Sequence, residues 1–235
     1  MSEYARDTAG VVLPRAEVHL SVRFGTSTRN GVDVHAIGAF ETVRRKHLHS
    51  GQRIVLARLQ LGAVEAVLGV PASALAGRIV PLEDLWGAAT TGRLVDRLAA
   101  ARGTSPAAKL LESAIAERSA LAAGQRARTQ LVLAAADRLA SANVAAVALD
   151  LGVSERHLRR VFRETIGMSP KTFAQLTRFQ RAVRAARAAH HESWTTIAAS
   201  AGYYDQAHLI AEFRAIAGVT PRALLGELRA AHSFG

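Results

Sequence analysis

Four arginines, Arg156, Arg159, Arg160 and Arg163, stand at i, i+3, i+4 and i+7, which on a helix forms one stripe. A guanidinium can bond O6 and N7 of guanine together in the major groove, or it can hold a backbone phosphate, and at least half of protein–DNA hydrogen bonds are of the second kind. Both roles stay open for each of the four. The stripe lies in a stretch from Glu155 to Arg187 that also holds Lys171, Arg178, Arg181, Arg184 and Arg187, with only Glu155 and Glu164 against them. A solvated face usually mixes signs, so this one points to a polyanionic partner. The whole chain agrees: 235 residues carry a net charge of +11, and residues 124–235 hold 15 Lys and Arg against 8 Asp and Glu.

Other chemistries are poorly supplied. With no cysteine, disulfides, thiolate metal sites and cysteine nucleophiles are excluded. His47 and His49 put two imidazoles on one side of a strand, an H-x-H that resembles the metal site of cupin barrels. The glutamate expected a few residues later is absent from "SGQRIV", so solvent-facing or core histidines are the better reading. "HHESW" at His190 is not H-E-x-x-H, and no phosphate-cradling glycine loop or serine nucleophile elbow occurs. No catalytic residue, metal ligand or cofactor site is expected. Trp86 and Trp194 read as core anchors, with a ligand pocket or base stacking as the alternative.

The arginine stripe belongs to a duplicated segment. "SERHLRRVFRETIGMSP" (154–170) aligns with "DQAHLIAEFRAIAGVTP" (205–221), pairing His157 with His208, Leu158 with Leu209, Phe162 with Phe213, Gly167 with Gly218 and Pro170 with Pro221 at a constant offset. Before each copy a short helix is expected to end at glycine, over Val147 to Gly152 and Ile197 to Gly202. Ser154 or Asp205 then caps the next helix through a side-chain oxygen. Helix, glycine turn, helix is a helix-turn-helix unit. The (i, i+4) pairs Leu158/Phe162 and Leu209/Phe213 are expected to anchor each second helix, leaving the opposite face free. Positions alike in both copies serve packing or phosphate grip, whereas positions that differ, such as Arg159/Ile210 and Arg160/Ala211, can read different bases. The second helix offers Gln206 and His208 amid small residues. Ser169 and Pro170 open a long helix between the copies; at 1.5 Å per residue, about 20 residues span roughly 30 Å, close to one DNA turn of roughly 34 Å. Arg178 on it is expected to meet phosphate or solvent.

These segments need positioning elements. Residues 11–59 are rich in short β-branched runs punctuated by Gly, Asn and Ser, which predicts strands. After Gly62, units such as "GAVEAVLG" and "PLEDLWG" read as short helices, and "TGRLVDRLAAARG" as a longer one closed by Gly103. Apolar residues from Leu110 to Ala122 recur at helical spacing, on a helix that packs either on its own first domain or on a second subunit. The expected fold is α+β. A small β-rich domain with helices (1–103, of degenerate cupin-like type) leads through a linker helix (104–124) to an all-α domain of two helix-turn-helix units joined by a long helix (125–235). The acidic start and the charges inside "RIVLARLQLGAVEAVLGV" argue against a leader or a membrane span, so a cytoplasmic protein is expected.

"GYYDQAHLIAEFRAIAGVTP" and "LGVSERHLRRVFRETIGMSP" resemble, in order and spacing, the two signature motifs of the AraC/XylS family of bacterial transcription regulators. The likeness covers about residues 128–226. It implies a seven-helix, sequence-specific DNA-binding domain acting on double-stranded promoter DNA, with RNA polymerase, a small-molecule effector and a second copy of the chain as further partners. Carried over by position, the first motif reads with Arg156, Arg159 and Arg160; Arg163 and Lys171 are DNA-binding candidates from the basic stretch itself. The second makes its contacts with Gln206, Ala207, His208 and Ala211. The chain departs from the family pattern at Ala207 and Ala211, which offer only methyl groups. "GVPASALAGRIVPLEDLWG" resembles the small sensor-like domain that precedes this module in some members, which implies effector binding or dimerisation. The rival reading is a small-molecule-binding or metal-dependent cupin-like barrel that carries a DNA-binding tether.

Overall fold

The computed structural model describes residues 2–3, 8–25, 31–48, 53–101, 103–120, 126–188 and 193–231. The first half opens with strands β1 (Ser2–Glu3), β2 (Thr8–Val12), β3 (His19–Phe24), β4 (Val32–Ile37), β5 (Arg44–Leu48) and β6 (Arg53–Arg58). Helices α1 (Val64–Leu68) and α2 (Ala72–Leu75), strand β7 (Ile79–Pro81), and helices α3 (Glu83–Trp86), α4 (Ala88–Ala100) and α5 (Thr104–Ala120) complete it. The strands form a five-stranded antiparallel sheet ordered β1-β6-β3-β4-β7 and a separate two-stranded hairpin, β2-β5. Strand β7 was not expected; three residues ending in proline carry almost no period-2 signal, and Pro81 is tolerated because the strand lies at the sheet edge.

Side-chain alternation gives the sheet two unlike faces. Leu20, Val22, Val34, Ala36 and Val55 are buried against Leu68, Leu94, Leu98 and Leu111 of the helices. Ser21, Arg23, His35, Ile37, Ile54 and Leu56 point the other way, toward the hairpin. The sheet comes close enough to α2 that a Cβ on Gly38 would lie 1.7 Å from the Leu75 carbonyl oxygen, a distance only glycine permits. Trp86 is an anchor as expected, 7% exposed, donating from Nε1 to the Val67 carbonyl at 2.9 Å. The helix expected as a linker is instead part of this core: Ala107, Leu111 and Ala114 of α5 are buried in it, because its apolar stripe covers its own sheet. The expected end of that helix, at Gly124, falls outside the described residues, as do His49, His190 and His191.

The second half is helical: α6 (Arg126–Arg138), α7 (Val144–Asp150), α8 (Glu155–Ile166), α9 (Pro170–Ala188), α10 (Trp194–Ala201), α11 (Gln206–Ala217) and α12 (Pro221–Ala230). Two cores serve it. Val132, Val147, Leu158 and Phe162 close one around Phe173 and Leu176 of α9, while Ile197, Leu209, Phe213 and Leu224 close the other around Phe179 and Val183 of the same helix. Trp194 is half-buried against the second core. The N-terminal half reaches into both, with Ala16 and Ala39 in the first and Val11 in the second.

His19 is buried at 8% exposure on β3. Its Nδ1–H donates to the Glu17 carbonyl at 3.2 Å, and its Nε2 accepts from the Arg15 guanidinium at 3.0 Å. That arrangement requires a neutral ring; burial first, and then the Arg15 charge, push its pKa down from 6.5 to about 4. Between those values the unfolded chain binds the proton and the folded chain does not, so stability falls as pH drops from 6.5 toward 4. Denaturant melts across that window should lose ~1–3 kcal/mol more for the native chain than for His19→Gln. Equal losses in both would remove His19 as the source.

Candidate nucleic-acid interface

Each helix-turn-helix unit is built by local chemistry. Asn143 caps α7 by accepting from Ala146 N at 2.9 Å, and Ser154 caps α8 from His157 N at 3.2 Å. In the second unit Ser193 caps α10 from Thr196 N at 3.2 Å, and Asp205 caps α11 from His208 N at 2.7 Å. Gly167 and Gly218 end the two reading helices in the left-handed conformation. Leu158, Phe162, Leu209 and Phe213 all have zero exposure, so the anchoring face is where the repeat places it.

The duplication is not perfectly regular. The turn amide of Val153 bonds Ala148 O at 3.0 Å and that of Tyr203 bonds Ala198 O at 2.9 Å, so these two residues are equivalent. Ser154 follows Val153 directly, whereas Tyr204 intervenes before Asp205. The second turn is therefore one residue longer, and the extra side chain stands 94% exposed beside the cap of α11. Aligning the copies on their reading helices alone hides this; the distance from glycine to cap, two residues in one copy and three in the other, is the signal that finds it.

On α8, Arg156, Arg159, Arg160 and Arg163 are all exposed. Arg159 donates to Glu155 at 2.6 Å, and Arg160 donates to Glu164 at 3.3 Å and lies 3.5 Å from His157 Nδ1. Arg156 and Arg163 have no ion pair among the described residues, so two cations meet a polyanion directly and two must first exchange a carboxylate for it. Lys171 is exposed at the start of α9. On α11, His208 is exposed with its ring edge-on to Tyr203, centroids 5.3 Å apart, while Gln206 is half-buried and accepts from Thr195 Oγ1 at 3.2 Å. Ala207 and Ala211 present methyl groups to solvent.

Arg178 is a correction. Expected toward phosphate or solvent, it turns into the second unit, donating from Nη2 to Glu212 Oε2 at 3.0 Å and lying 5.7 Å from the centre of the Tyr203 ring. Glu212 is 7% exposed, and its other oxygen accepts from the Tyr203 hydroxyl at 2.8 Å. Burial and that hydrogen bond to Glu212 raise the phenol's pKa, so Tyr203 remains a donor. A buried carboxylate needs its cation, which explains why Arg178 faces inward. In the first copy the position of Glu212 is Val161, also buried. A difference between the copies therefore marks a changed core as well as a changed reader.

The helix-turn-helix domain family matches residues 147–227, the span from α7 into α12. The C-terminal region is an AraC-type helix-turn-helix domain. Residues 147–227 thus carry a helix-turn-helix domain, whose DNA-binding members place the second helix of the unit in the major groove. No curated protein matches it. Among solved structures, the AraC-type domain is similar to the DNA-binding domain of AdpA in complex with a target DNA, at 25% identity over 44% of this chain and 93% of that one, TM-score 0.38. It is similar also to a DNA-binding transcriptional dual regulator from Escherichia coli K-12, at 27% identity over 43% and 95%, TM-score 0.35. ToxT from Vibrio cholerae is similar along 96% of this chain and 95% of its own, at 9% identity and TM-score 0.47. Among the described residues, no group of three His, Asp or Glu is placed to hold a metal, and no helix is long and apolar enough to cross a membrane.

Loss of this half-buried cation should be felt as stability. Arg178→Ala is expected to cost about 3 kcal/mol in denaturant melts, since it strands Glu212. Arg156→Ala on the AraC-type domain should stay within about 0.5 kcal/mol of the native chain. The opposite ranking would return Arg178 to the surface.

Proposed function

We propose that the protein reads promoter DNA with α8 in one major groove and holds a neighbouring groove with α11, the two set apart by α9, whose 19 residues span about 28 Å. The observation that carries this is the exposed arginine face of α8 on a capped helix anchored by Leu158 and Phe162. Arg156 and Arg160 are the base readers, Arg159 and Arg163 add to the grip, and Lys171 meets phosphate. The second unit, with His208 and Gln206 amid methyl groups, contributes more grip than reading. The N-terminal half is the regulatory domain, a role favoured by its polar bonds to both units. A cytoplasmic location follows from the partner.

Selection from a pool of random duplexes by the full-length protein tests the reading. One site should be enriched, with affinity falling as salt rises, by a log–log slope of about −3 for the phosphate contacts of Arg159, Arg163 and Lys171. On that site Arg160→Ala should cost about 1–3 kcal/mol and relax the choice at one base pair. A flat selection, or an Arg160→Ala protein with unchanged base preference, would sink the assignment.

A further inference from the structure

A groove of about 810 Å³ runs along the arginine face of α8. Arg156, Arg159, Arg160 and Arg163 line it, and its wall is completed from the other half of the chain by Ser73 of α2. That helix is a single turn, with Ala72 and Leu75 buried in the N-terminal core and Ser73 and Ala74 exposed. Among the described residues the Ser73 hydroxyl has no hydrogen-bond partner. Arg78, also exposed, lays its guanidinium against the same turn, donating from Nη1 to the Ala74 carbonyl at 3.3 Å. It has no carboxylate at ion-pair distance among the described residues. Glu164, the acid in the groove lining, is already shared between Arg160 at 3.3 Å and Arg128 at 3.8 Å. The place of α2 beside α8 is fixed, since a Cβ at Gly167, where α8 ends, would lie 3.0 Å from the Ala72 carbonyl oxygen.

We propose that the DNA-contact surface continues from α8 onto α2 of the N-terminal half, so that the sugar–phosphate strand bordering the groove read by α8 lies across Ser73 and Arg78. The inference rests on the reading of α8 as the helix that enters a major groove. A helix seated there has a backbone strand along each side, and α2 stands at one side of α8, so the strand on that side must pass over it. Hydroxyl and guanidinium groups are ordinary phosphate ligands. Ala74, Ala76 and Gly77 are exposed as well, and with such small residues at the surface a strand can approach the turn closely. Contacts of this kind set the position of the protein on the duplex without reading bases. The N-terminal half would then fix the register in which the α8 arginines meet base edges.

The full-length protein is bound to the duplex recovered by selection, and the phosphates whose ethylation blocks binding are mapped for the native chain and for Arg78→Ala. One phosphate should matter to the native chain and cease to matter to the variant, with the rest of the map unchanged. Arg78→Ala should weaken all duplexes alike by about 5-fold and make the salt slope shallower by about one, at an unchanged melting temperature. Ser73→Arg should do the reverse, tightening binding by about 3-fold or more and steepening the slope by about one. Arg97→Ala removes the same charge from the exposed face of α4 and should leave affinity and slope at native values. An unaltered phosphate map for Arg78→Ala, an equal loss in Arg97→Ala, or weaker binding by Ser73→Arg would each overturn the surface, the last by showing that α2 obstructs the duplex. Should Arg160→Ala lose its base preference while Arg78→Ala keeps the native map, this surface falls and the reading by α8 stands. A native chain that binds no duplex would remove both together.

Discussion

The molecule depends on the burial of N-terminal side chains in the cores of a C-terminal domain. Val11 closes the second helix-turn-helix core, and Ala16 with Ala39 closes the first. Buried apolar area is the main favourable term in folding, so these contacts tie the two halves by the same force that holds each half together. Polar bonds fix the register of that contact. Gln180 Nε2 donates to the Pro14 carbonyl at 2.8 Å, and Arg128 sits 3.8 Å from both Glu65 of α1 and Glu164 of α8. The C-terminal end of α8 meets α2 so closely that a Cβ at Gly167 would lie 3.0 Å from the Ala72 carbonyl oxygen. Both reading helices are thus seated on one body, and α9 between them packs one half of its length in each core.

Within that frame the two units solve the same packing problem differently. The first is apolar throughout at Val161. The second places a carboxylate there and satisfies it with Arg178 and Tyr203, one from the spacer helix and one from the turn. A buried ion pair is weak evidence for stability, but it is demanding in geometry, because each partner must arrive at a hydrogen-bonding distance. The spacer helix, the turn and the reading helix of the second unit are therefore locked to one another by orientation, where the first unit relies on shape. Phe162 against Phe173, at 5.3 Å between ring centres, is the corresponding contact on the first side.

The helix-turn-helix units were legible in the sequence because packing, capping and chain reversal impose the same residue types twice, and the repeat displays them side by side. Leu158, Phe162, Ser154 and Gly167 could be assigned without coordinates for that reason. Arg178 could not, since helical spacing gives the face of a side chain but not what that face meets, and its partner Glu212 is 34 positions away. The helix over Thr104–Ala120 posed a similar problem; its apolar stripe fits a sheet or a second subunit equally well until β6 is seen beneath it. The place of α2 beside α8 was illegible for a further reason, since a single turn such as Ala72–Leu75 is too short to show a period and its partner lies in the other half of the chain.

The longer turn of the second unit limits how freely the two units can be exchanged. Tyr204 adds a residue between the folded turn and the cap of α11, and Tyr203 before it is committed to Glu212 through its hydroxyl. The side chains facing DNA on α8 and α11 therefore leave their respective turns at different places, although the helices are aligned residue for residue. Grafting the arginine stripe of α8 onto α11 would move the letters without the frame that aims them. A chimera that carried specificity from one half of a site to the other would have to move turn, cap and helix as one block, and to bring either a valine or an arginine–tyrosine pair for the position beneath it.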